Sequence, residues 1–227
     1  KIENGKLIIH SQKAFEEFKN NLPSYGDATI KSLDLSGVSD ILGKNSMGHG
    51  IFGGFGSLST VTAKGLKILG DNGAFLFCGD LTEFNKDSNY DYNIEGIDTI
   101  GKSAFESCGE SGFKANVSAK TIAESAFDGS GLTEINLPNA TTIKWNAFNC
   151  KKLTKITLGQ EEVEIVANAI PNDAKVTVVL ACTNEEKRKQ LAEQIRTKFS
   201  NVKIKDSSGN ELANQPEQQA AAEDASK

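Results

Sequence analysis

Three phrases in the second half of the chain are versions of one another: TIGKSAFESC at 99–108, TIAESAFDGS at 121–130 and TIKWNAFNC at 142–150. Their phenylalanines, Phe105, Phe127 and Phe148, step by 22 and 21 residues, and Ile100, Ile122 and Ile143 step likewise. A fixed period of this size is the mark of a solenoid, in which one supersecondary unit stacks on the next. Each coil of a solenoid touches only its neighbours, so the molecule presents an extended surface in place of one deep pocket. That geometry favours a binding protein over an enzyme.

Each repeat divides in two. Ser103, Ser125, Asn146 and Asn168 stand immediately before the Ala-Phe or Ala-Ile pair, and all four are favoured helix N-caps. Glu106 follows Ser103 by three, as in a capping box, so the spacing predicts a short helical or 3₁₀ turn there. The other half is extended: Leu132, Ile135 and Leu137 match Leu153, Ile156 and Leu158 at an offset of 21, ending in the alternation of a strand.

Degenerate copies lie upstream, where Phe52, Leu58 and Val61 precede Phe75, Leu81 and Phe84 by 23 residues at each point. Ile30, Leu33 and Leu35 form the first strand of the array, and the run from Ile165 through Ile170 to Leu180 forms the last coil. Between Phe75 and Phe105 the spacing stretches to 30, which predicts an insertion at 85–98 projecting as a surface loop. The fold class expected is α/β, a solenoid of short parallel strands and short helical turns with an α/β cap at each end. The divisions are a strand–helix cap at 1–29 beginning at Leu7 and Ser11, the solenoid at 30–180, a helix–strand cap at 181–212, and a disordered polar tail at 213–227.

Composition narrows the partners. The formal net charge is −5 and no basic run occurs, which argues against nucleic acid. No apolar stretch approaches the roughly 20 residues that span a bilayer, so no transmembrane segment is expected. The chain starts at Lys1 and its only methionine is Met47, so it reads as a processed or trimmed piece, with an export leader or a lipid or surface anchor lying outside it. Cys78, Cys108 and Cys150 follow Phe75, Phe105 and Phe148 by three, three and two residues, which puts them in one recurring slot as buried free thiols and not in a disulfide framework.

The segment TIAESAFDGSGLTEINLP, 121–138, resembles the BspA-like leucine-rich repeats of bacterial cell-surface proteins, whose coils carry an I…AF..C..L..I.LP pattern. The resemblance is strong over about 97–180 and weaker over 30–84. It implies an extracellular or surface-anchored protein used for adhesion or protein recognition, with no catalytic residues.

Strands stacked in register would set out ladders of side chains on the open face of the sheet. The candidate partner-binding positions on that face are Glu83, Asn85, Glu134, Asn136, Lys155 and Thr157, with Tyr90 and Tyr92 as aromatic anchors in the insertion. The partner expected is a protein, such as a host or extracellular-matrix protein. Asp87, Asn89, Asp91, Asn93, Glu95 and Asp98 also have the spacing of a calcium loop. Tyr92 takes the place of its turn glycine, however, and a polar turn explains the same composition, so neither a metal nor a cofactor is expected. Gly48, Gly50 and Gly53 have dinucleotide-loop spacing without the strand–turn–helix context, and no hydrolase, zinc or phosphate-loop motif occurs. The function expected is non-catalytic protein binding or adhesion; the alternatives are calcium-assisted glycan binding through the insertion and a structural spacer in a larger assembly.

Overall fold

The computed structural model describes residues 2–22, 29–171 and 175–213. Among the described residues the coils wind around two sheets, parallel throughout except for the antiparallel pair Ile2–Glu3 and Lys6–Ile8 at the start of the larger one. The large sheet has eleven strands in the order Ile2–Glu3, Lys6–Ile8, Ser32–Asp34, Thr60–Thr62, Glu83–Phe84, Tyr92–Ile94, Phe113–Val117, Leu132–Leu137, Lys155–Leu158, Thr177–Leu180 and Lys203–Asp206. The small sheet stacks six two-residue strands from Asp40–Ile41 to Glu164–Ile165. Register follows the apolar alternation: Ile135 stands beside Ile156 and Leu137 beside Leu158. Inward positions are buried and the residues between them face outward.

Down the centre runs a column of aromatic rings. Phe52, Phe75, Phe105, Phe127 and Phe148 stack coil on coil, with centroids 5.3–6.0 Å apart and ring planes within 24° of parallel. Helix α1, Gln12–Lys19, lays Phe15 and Phe18 against Phe52 at one end. Ser11 caps α1 by accepting from the Ala14 N–H. At the other end α2, Glu185–Lys198, starts at the N-cap Asn184 and buries Leu191, Ala192 and Ile195. The expected tail, 213–227, lies outside the described residues except for Ala213.

The arc that closes each coil is not helical. Ser103, Ser125, Asn146 and Asn168 have φ of +55°, +53°, +54° and +66°, in the left-handed region. The N–H groups of Ser103, Phe105 and Ser107 donate to the carbonyls of Glu124, Ala126 and Asp128 in the next coil, and those of Ser125, Phe127 and Gly129 donate to Trp145, Ala147 and Asn149, all at 2.8–3.0 Å. A helical turn would aim those groups along the arc. Bonding between coils satisfies the same donors and joins the repeats, and short polar residues tolerate the φ it requires.

The insertion also differs from expectation. Tyr92–Ile94 is a strand of the large sheet, paired with Phe84 on one side and with Ala115–Val117 on the other. The turn before it, around Lys86–Asn89, stands out into solvent, as do Glu95, Gly96 and Asp98 after it. Tyr92 and Ile94 are buried, so the segment contributes one more rung to the core.

Candidate functional site

The outer face of the large sheet carries two rows of side chains. One row runs Lys114, Glu134, Lys155, Thr177 and Lys203; the other runs Asn93, Asn116, Asn136, Thr157, Val179 and Lys205. Glu134, Asn136, Lys155 and Thr157 therefore form a block on two adjacent strands, each half-buried.

The charged row is tied together internally. Glu134 accepts from Lys114 at 2.8 Å and from Lys155 at 2.5 Å, and these two ammonium groups hold its carboxyl below the usual carboxylate range. Upstream, Glu83 pairs with Lys86 at 2.6 Å, and Lys86 lies 3.7 Å from Asp91. The Asp91 carboxylate also accepts from the Lys114 N–H. The second row is tied by amides: Asn136 Nδ2 donates to Asn116 Oδ1 at 2.8 Å, and Asn116 Nδ2 to Asn93 Oδ1 at 2.9 Å.

Two candidates have other roles. Tyr92 is not a surface anchor: it is fully buried, stacks on Phe113 at 4.0 Å and donates its hydroxyl to the Leu81 carbonyl at 2.6 Å. Its strand turns the ring inward, and the hydroxyl has a partner there. Asn85 has φ +50° and accepts from the Ala63 N–H at 2.6 Å, so its side chain ties its turn to the preceding coil. Tyr90 is half-buried in the turn built on the Asp87 carboxylate.

The calcium-like residues do not converge. Asp98 pairs with Lys120, Asp87 caps the N–H groups of Asn89 and Tyr90, and Asn93 belongs to the amide row. The strand spreads alternate residues along the sheet, whereas a cation site needs them wrapped around one point. Among the described residues no group of three His, Cys, Asp or Glu side chains lies close enough to share an ion.

The cysteines are interior groups. Cys78, Cys108 and Cys150 donate their thiols to the carbonyls of Phe52, Phe75 and Phe127 in the preceding coil, at 3.2, 2.9 and 2.9 Å. Burial pushes the Cys150 thiol up to about 12. The coil between the last two of these uses Ser130 in that slot, 3.5 Å from Cys150 Sγ.

Several surface residues escape the strand pattern. Lys114, Lys203 and Lys205 join the rows only once register is known. Trp145, the one tryptophan of the sequence, and Phe77 are each about half exposed on the arc, away from the large sheet. Asn93 and Asn116 carry a spacing signal, being 23 residues apart with Asn136 a further 20 on, close to one coil each.

The repeat pattern of the BspA type leucine rich repeat region matches residues 72–190 in six copies, just over half of the 227-residue chain. No curated protein and no solved structure matches the chain. Among the described residues, no helix is long and apolar enough to cross a membrane. With the period, the parallel stacking and the phenylalanine column in place, the matched repeats say what the molecule is: the chain belongs to the BspA-type leucine-rich-repeat family, whose coils build repeat-based binding modules.

Proposed function

We propose that this is a non-catalytic module of a cell-surface or secreted protein, which binds a protein partner in adhesion through the outer face of its large sheet. The observation that carries the reading is the block of Glu134, Asn136, Lys155 and Thr157 set in register on a broad parallel sheet. Glu134 and Lys155 hold each other in place and Asn136 is held by Asn116, so a partner would meet a largely preformed surface and little ordering cost would oppose binding. The surface location is supported by the family, whose members are typically surface-associated in bacteria.

The test is capture of the purified chain by immobilised extracellular-matrix proteins, mucins and glycans, with calcium and with chelator. Saturable binding to a protein, independent of calcium and lost in Thr157→Arg at unchanged melting temperature, is the expected result. Binding that persists in Thr157→Arg would take the site off this face. Glycan capture abolished by chelator would favour the calcium-assisted alternative.

A further inference from the structure

The charged row changes character at Lys155. Before it, positive and negative groups answer one another from Glu83 through Lys86, Asp91, Lys114 and Glu134. After it the row continues with Thr177 and Lys203, while its neighbour continues with Val179 and Lys205. Neither Lys203 nor Lys205 makes an ion pair among the described residues. Glu211 stands across from Lys205 at an antiparallel bridge without pairing to it, and Asp206 is engaged by Asn210 and by the N–H of Ser208. A chain of net charge −5 thus gathers unanswered positive charge at one end of the face proposed above.

We propose, resting on that sheet-face reading, that this end docks a short acidic segment of a protein partner. Neighbouring strands are about 4.8 Å apart, which puts roughly 10 Å between the Lys155 and Lys203 positions in the row. Thr177 lies between them, with half-exposed Val179 beside it on the same strand. The arrangement suits carboxylates beside an apolar side chain: Lys203 and Lys205 take the charges and Val179 takes the apolar contact. A sulfated polysaccharide offers no apolar group to Val179, and its charge would run on past the patch over a surface that is negative on balance. Charge complementarity of this kind acts on encounter rate and specificity and is screened by salt.

The experiment uses the whole chain and a short fluorescent peptide in which leucine is flanked by glutamate pairs, read by anisotropy. Binding at low salt should weaken roughly tenfold in the Lys203→Gln/Lys205→Gln double variant, the effect of losing two partly exposed charge pairings. Melting temperature should not change, and Glu134→Gln should leave the affinity undiminished. Equal binding by the parent and the double variant would overturn the inference, as would preference for a heparin fragment over the peptide, or no peptide binding at low salt. A matrix protein captured by the double variant as well as by the parent, but not by Thr157→Arg, would overturn the acidic-segment inference and leave the sheet-face reading standing. Capture insensitive to all of these substitutions would overturn both.

Discussion

Asn136 donates its side-chain amide to the side-chain oxygen of Asn116 one coil away, at 2.8 Å, and Asn116 repeats the bond to Asn93. The middle residue is therefore both acceptor and donor. Asn116→Ala removes both bonds at a partly buried position and should cost about 1–3 kcal/mol, measured by urea denaturation. Asn116→Asp keeps the acceptor and loses the donor, placing a carboxylate beside Asn93 Oδ1. Its melting temperature should lie closer to the parent's at acid pH, where the protonated group donates again, than at neutral pH.

Phe105 sits mid-column, 5.7 Å from Phe75 and 5.3 Å from Phe127, with no exposed surface. Phe105→Ala opens a cavity with neighbours on both sides that cannot close over it, and should cost about 3–5 kcal/mol. Phe18→Ala, at the half-exposed end of the column, should cost clearly less in the same denaturation assay.

Phe77 adopts φ +61° at an arc position where neighbouring coils place Gly54, Ser107 and Gly129. A left-handed conformation costs an L-residue roughly 1–2 kcal/mol, and this ring is half exposed, so burial recovers only part of it. Phe77→Gly should hold or raise the melting temperature while removing the ring's edge contact with His49. A fall of several degrees would mean that the contact outweighs the strain.

The Glu134 carboxyl is held below its ordinary range by Lys114 and Lys155. A carboxyl depressed in the folded state adds stability that is present above its unfolded value, near 4.3, and is lost as pH falls through the lower folded value. Between neutral pH and strong acid, Glu134→Gln should therefore narrow the gap to the parent's melting temperature. The narrowing should begin below about pH 4.5, and an unchanged gap down to pH 3 would show that the two lysines add nothing.

Much of the fold is legible in the sequence, for a mechanical reason. A plug such as Phe105 must recur once per coil, and strand residues such as Ile135 and Ile156 must recur in register or the core cannot close. The backbone of the arc is not legible in this way. Serine and asparagine suit helix N-caps and left-handed turns alike, so Ser103 and Asn146 fit two conformations until the next coil's carbonyls decide between them. Tyr92 is obscured by its setting of Asp and Asn, although it alternates with Ile94 as a buried strand residue should. The amide row and the lysine end depend on register between coils of unequal length, which no single segment contains. Glu134 is legible as an outward-facing residue, but not its partners Lys114 and Lys155, because that pairing is a relation between coils.

In the arcs every second peptide lies along the stacking axis, and its N–H always points toward the later coil. Peptide dipoles so aligned add from coil to coil as they do along an α-helix, leaving the carbonyl end of the stack partly negative and the amide end partly positive. The arc is in this sense polarised lengthwise by its backbone, opposite in direction to the turns beside the small sheet, where the N–H groups of Ala123, Lys144 and Val166 donate to Ile100, Ile122 and Ile143 of the earlier coil. Inserting or deleting a whole coil would change the length of that array and leave its direction intact, so a lengthened or shortened relative would keep the same polarity along its arcs.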